Sequence, residues 1–99
     1  EAELADAALV QGLKAYREGK YTLAEAQLRI AVRGGLRQSV DLANAHKHLA
    51  FIYCTSQRQA LCAESFRSAR RADPKFRLSK AEAGHPMWGT TYRRALGLK

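Results

Sequence analysis

The stretch His46-Lys47-His48-Leu49-Ala50-Phe51-Ile52-Tyr53, followed by Cys62, Phe66, Ala69 and Asp73-Pro74, decides the fold. It runs as a bulky residue, Leu49-Ala50, Tyr53, a small residue four places before Phe66, a second small residue and a closing proline. Apolar positions three and four apart predict two helices, about 40–55 and about 58–72, with Leu42, Ala45, Leu49, Ala50, Ile52 and Tyr53 turned to the core. Ser56-Gln57 is the turn between them. The second helix stops before Pro74, which cannot continue it without losing a hydrogen bond. Small side chains at Ala50 and Cys62 let two antiparallel helices approach closely, and Phe66 fills the space beyond them.

Toward the amino end the same plan recurs. Ala5, Leu9, Gly12, Leu13 and Tyr16 predict a helix over about 5–17, and Gly19 gives the freedom a tight interhelical turn needs. Thr22-x-x-Glu25 has the form of a capping box and predicts a second helix over 22–33, with Ala24, Leu28, Ala31 and Val32 on its apolar side. Gly34-Gly35 stops it. Gly12 maps onto Ala50, Ala24 onto Cys62, Leu28 onto Phe66 and Ala31 onto Ala69, all at one offset of 38.

This pattern resembles the tetratricopeptide repeat (TPR) family, most specifically from His46 to Pro74 and more loosely from Ala8. The family's repeat is about 34 residues long. The excess fits about four extra residues between Gly34 and Asp41, where a longer loop costs little. The first repeat departs from the family at Gln11 (Leu expected), Ala15 (Tyr expected) and Leu36 (Pro expected). The resemblance implies an all-α fold of two stacked helix-turn-helix hairpins forming a TPR-like superhelix within a single domain, 1–99. Repeat one covers about 5–36 and repeat two about 40–74.

A carboxyl-terminal cap over about 77–97 follows, because a repeat array needs its last apolar face covered. Ser79-x-x-Glu82 predicts a capped helical turn broken by Gly84. Pro86 is placed as the first residue of a last helix, with Met87, Trp88, Tyr92, Ala95 and Leu96 to one side. Met87 and Trp88 are read as packing residues of the cap; the competing reading makes Trp88 an anchor for a partner.

TPR proteins line a concave groove with the first helix of each hairpin and hold an extended peptide or a partner helix there. Carried onto this chain, the groove positions are Asp6, Leu9, Val10, Leu13, Tyr16 and Arg17, then Asn44, Lys47, His48, Phe51, Cys54 and Thr55. Chaperone-binding members clamp a terminal carboxylate with Lys and Asn; Leu9 and Leu13 stand at the corresponding places here, so that clamp is not expected. The resemblance thus implies a non-catalytic adaptor or scaffold for a protein or peptide partner, with Leu9, Leu13, Tyr16 and Phe51 as contacts. Lys47, His48 and Arg17 would steer acidic groups.

Charge supplies an alternative. Formal net charge is +8, and the excess is concentrated from Ser65 onward, including Arg67, Arg70, Arg71, Lys75 and Arg77. A basic patch attracts nucleic acid, an anionic membrane surface or an acidic partner. No recognition-helix motif and no aromatics interleaved with these arginines accompany it, which places nucleic acid behind protein binding; a solvated helix face is the blander reading. A third reading is structural, with the outer side of the first hairpin stacked on another copy or on further repeats.

Chemistry finds little support. Carboxylates are scattered, no phosphate loop is present, and no Ser or Cys sits beside a base in a recognised arrangement, so no enzyme is expected. His46 and His48, two apart on a helix, point to different faces and cannot jointly hold a metal; no metal or other cofactor is expected. No apolar run approaches the ~20 residues of a membrane span. Cys54 and Cys62 flank the second hairpin turn and are either bridged or free, the compartment deciding between them: cytoplasmic if free, extracytoplasmic if bridged. The chain opens Glu1-Ala2-Glu3 without Met, so a mature form or an excised segment is expected and the compartment cannot be read from this end.

Overall fold

A computed structural model describes residues 2–99; Glu1 lies outside them. Among the described residues the fold is all-helical: α1 (Ala2–Arg17), α2 (Tyr21–Arg33), α3 (Ser39–Thr55), α4 (Gln59–Ala72), α5 (Lys80–Ala83) and α6 (Gly89–Leu96). α1 pairs with α2 and α3 with α4 as antiparallel hairpins. α2 then packs on α3, and α6 on α4, giving a body of 38 × 28 × 22 Å.

The two hairpins turn in the same way. Gly19 and Gln57, 38 residues apart, both take a left-handed conformation, at φ +76° and +64°. The next residue closes each turn: Lys20 N–H donates to the Ala15 carbonyl and Arg58 N–H to the Tyr53 carbonyl, both at 2.9 Å. This bond satisfies a carbonyl that the helix end would otherwise leave orphaned. Burial follows the same offset. Ala24 and Cys62, Leu28 and Phe66, and Ala31 and Ala69 are pairwise fully buried. Gly12 stands at a close approach of α1 and α2: a Cβ there would lie 2.8 Å from Leu28 Cγ. The recurrence of small residues in sequence is therefore a recurrence of tight helix crossings in space.

Several local expectations are corrected. α1 begins at Ala2 rather than Ala5. α2 begins at Tyr21, its cap residue is Lys20, and the Thr22–Glu25 capping box is not formed. Glu25 is drawn away: Arg58 of the second hairpin donates to both its carboxylate oxygens, at 2.9 and 2.7 Å. The last helix begins at Gly89, not Pro86, because the chain from His85 to Trp88 forms a turn closed by Gly89 N–H to the His85 carbonyl at 2.8 Å. Trp88 is buried as a packing residue, but Met87 is 46% exposed and does not pack.

The Ser79–Glu82 box is formed, with Ser79 N–H donating to Glu82 Oε1 and Glu82 N–H to Ser79 Oγ. α6 covers α4 by setting Tyr92 edge-on against Phe66, ring centres 5.3 Å apart. Cys54 and Cys62 have their sulfurs at bonding distance, 2.00 Å, and both are fully buried, so the sequence's open choice resolves to a disulfide across the second turn.

Candidate functional site

The face shared by α1 and α3 carries most of the residues assigned to a groove, and it divides into an open part and an occupied part. The open part lies toward the amino ends of both helices. One cleft is lined by Asp6, Leu9 and Val10 of α1 with Arg37, Gln38 and Asp41. A second shares Asp41 and continues past Val40, Asn44 and Lys47 to Asp73, Lys75, Phe76 and Arg77. Val40 and Val10, which line these two clefts, are 66% and 62% exposed.

The occupied part is aromatic. Tyr16 sets its ring edge against Tyr21 and His48, with centres 5.5 and 5.0 Å away, and His48 meets Phe51 at 5.7 Å. Phe51 is then covered by the stacked indole of Trp88 at 3.9 Å, on which His85 also stacks at 3.6 Å. Lys47 Nζ donates to Glu82 Oε2 at 2.9 Å and lies 5.9 Å from the centre of the Phe51 ring. The chain's own segment between α4 and α6 therefore sits where a partner was expected.

The sequence-assigned residues fall into three groups. Val10, Arg17 and Thr55 are exposed, and Leu13, Tyr16, Asn44, Lys47 and His48 are half-buried. Leu9, Phe51 and Cys54 are buried. Thr55 turns its hydroxyl back to the Phe51 carbonyl at 2.7 Å, an intrahelical bond rather than an outward donor. The five cations of the basic patch do not act as one. Arg67 and Arg71 pair with Glu64 at 3.3 and 2.6 Å, Arg70 donates to the Phe76 carbonyl at 3.0 Å, and Lys75 and Arg77 line the open cleft.

Electrostatics matches this division. Burial pushes the His48 imidazole below its ordinary pKa, against a bond from Nδ1–H to the Asn44 carbonyl at 2.9 Å; neighbouring Lys47 and Arg17 push the same way as burial. Burial pushes the Glu82 carboxyl up. The Ser79 backbone N–H and Lys47 outweigh that and hold it below its usual value. Among the described residues no group of three or more His, Cys, Asp or Glu could hold a metal ion, and no helix is long and apolar enough to cross a membrane.

Sequence reasoning missed the Lys47–Glu82 and Phe51–Trp88 contacts. A cap Trp and a groove Lys were each legible, but nothing local joins residues 35 and 37 apart. Comparison with protein-family models, with curated proteins and with solved structures finds no match to this chain.

Proposed function

We propose that this chain is a non-catalytic protein-binding module of the TPR type, whose two hairpins stack as successive repeats of a superhelix. The observation that carries the reading is the single offset of 38, which relates the small-residue seams, the buried pairs and the backbone bonds of both turns. In such a stack the first helices, α1 and α3, face the partner. An extended peptide or a helix would lie along the open cleft, over Val10, Leu13 and Val40, with the Asn44 amide within reach of its backbone. Arg37, Lys75 and Arg77 line this cleft together with Asp6, Asp41 and Asp73, so the preference for an acidic partner rests on the net charge of +8 rather than on the lining.

The test is affinity capture with this chain as bait, then calorimetry on the identified partner. Val10→Ser with Asn44→Ala should weaken binding about tenfold or more, the loss expected when a central contact pair is truncated, with helicity unchanged. Unchanged affinity sinks the groove assignment.

Self-association is a second reading, favoured by one observation. Leu4, Leu23 and Ile30 of the first hairpin are 71%, 49% and 49% exposed, an apolar surface of the kind that stacks on another hairpin. Sedimentation across a wide concentration range tests it. Binding of nucleic acid or an anionic membrane by the basic third draws less support, since Glu64 already partners Arg67 and Arg71.

A further inference from the structure

The segment that covers Phe51 is built differently from the helices around it. At its start, Leu78 is buried and its N–H donates to the Tyr92 hydroxyl at 3.0 Å; at its end, α6 is seated on α4 through Tyr92 and Phe66. Between these anchors, residues 79–88 hold mainly to themselves and to α6. The capping box closes α5, the Trp88 indole N–H donates to the Glu82 carbonyl at 2.8 Å, and Arg93 donates to the Ala83 carbonyl at 3.2 Å. Gly89 is required for this closure, because a Cβ there would collide with the Ala83 carbonyl oxygen. No residue of α5 is buried.

Against this self-contained loop, the grip on α3 consists chiefly of two side chains. Glu82 reaches Lys47, and Trp88 stacks on Phe51. That is the manner in which a bound peptide holds a groove: one charge pair, one aromatic anchor and little else. Its base is fixed independently, so the loop can lift without α6 leaving α4.

Resting on the protein-binding reading, we infer that residues 79–88 are a displaceable strap, and that the α3 half of the groove takes a partner peptide whose carboxylate and aromatic ring replace Glu82 and Trp88. The strap then works as a built-in competitor. It lowers the affinity of every partner by the fraction of time the face stands open, and admits only those that satisfy both Lys47 and Phe51. Lys47 supplies the charge selection. Phe51 supplies the flat apolar surface, with His48 and Tyr16 continuing it toward α1.

Trp88 is the single tryptophan of the chain, so it reports on the strap without labelling. In the full chain, exchange of the Trp88 indole proton should run at least about a hundredfold faster than the slowest backbone amides of α3 and α4, as local opening does relative to global unfolding. Lys47→Gln should speed it further, by about tenfold, through loss of the charge-assisted bond. A synthetic peptide of residues 79–90 carrying Trp88→Phe should shift Trp88 emission to the red with saturation; a peptide of the same residues carrying Glu82→Gln and Trp88→Ala should not.

An indole proton that exchanges only with the slowest core amides overturns the strap, as does a peptide that leaves emission unchanged. Dimerisation accompanying the red shift also overturns it, making a second copy the occupant. Partner binding that is lost in Val10→Ser but never moves Trp88 emission sinks the strap and leaves the protein-binding reading standing.

Discussion

The two hairpins share a backbone plan and differ in what secures it. In the first, glycine fills the left-handed turn position and Tyr16 and Ala24 occupy the places that Cys54 and Cys62 take in the second. The first hairpin thus has no covalent brace across its turn, only the backbone bond that closes it, side-chain packing and the Glu25–Arg58 link to the second hairpin. In the second, a non-glycine residue holds the same strained turn and a disulfide spans it, closing a loop with a sequence separation of 8. The second also carries more cover, with α2 on one side and α6 and the strap on the other. One hairpin plan is therefore tuned two ways: an unstrained turn with no covalent brace, or a strained turn inside one.

The largest way to break this comparison is at the equivalent core positions. Phe66→Ala should cost about 4 kcal/mol and Leu28→Ala about 3 kcal/mol, within the usual range for such truncations. Phe66 should cost more because its ring also touches Phe51 and Tyr92, so its loss unseats α6. Denaturant unfolding followed by circular dichroism gives both numbers, and equal costs would mean that α6 contributes nothing to the second hairpin.

Removing the brace comes next. Replacing Cys54 and Cys62 together by Ala should lower stability by about 2.5 kcal/mol, from the entropy returned to so short a loop in the unfolded chain. Since both sulfurs are fully buried, the bridge should resist a mild reductant in native buffer and yield to it in denaturant. Thiol titration under the two conditions reads this directly.

Much of this architecture was legible in the sequence, for a physical reason. Close helix crossings demand small residues, and small residues at Gly12, Ala24, Ala50 and Cys62 mark them without any long-range knowledge. Gly35, at φ +83°, and Pro74 stop helices through their own backbones. The failures share a cause as well. Thr22 and Glu25 had the right types for a capping box, but an arginine 33 residues along the chain from Glu25 made the stronger offer. Pro86 suited a helix start, but Trp88 leaves the helical backbone, with φ −134°, to reach Phe51. In the candidate site, the groove positions on α1 and α3 could be placed by repeat register. Which of them stay open could not, because that depends on where a later segment docks.

A smaller effect tests the turns themselves. Gln57→Gly should stabilise by up to about 1 kcal/mol, since only glycine takes a left-handed conformation without steric cost. Gly19→Gln should destabilise by a similar amount. Nothing lies within 4 Å of a Cβ at Gly19, so backbone strain alone sets the sign. If exchanging the two residues leaves overall stability unchanged while each single change moves it in opposite directions, the turns are interchangeable. The asymmetry between the hairpins then lies in the disulfide and the strap.

The smallest effect is with pH, and it separates the site from the hairpin joint. His46 and His48 are both held below the ordinary imidazole pKa, mainly by burial. The unfolded chain therefore binds more protons, and their contribution to stability, complete above about pH 6.5, should fade as pH drops through the folded values. The carboxylates come later. Glu25 is held low first by its hydrogen bond from Arg58, and Glu82 by Ser79 and Lys47 against burial, so their contributions persist until pH falls below the usual carboxylate range near 4.3. Stability measured from pH 8 to 3 should thus fall in two limbs. His48→Gln should reduce the upper limb, leaving the share of His46, and leave the lower one. Glu82→Gln should reduce the lower limb and expose Trp88 to quenching at neutral pH, whereas Glu25→Gln should reduce it with Trp88 still covered. If both carboxylate variants uncover Trp88 alike, the strap and the hairpin joint are one cooperative unit, and the two halves of the molecule are less separable than their contacts imply.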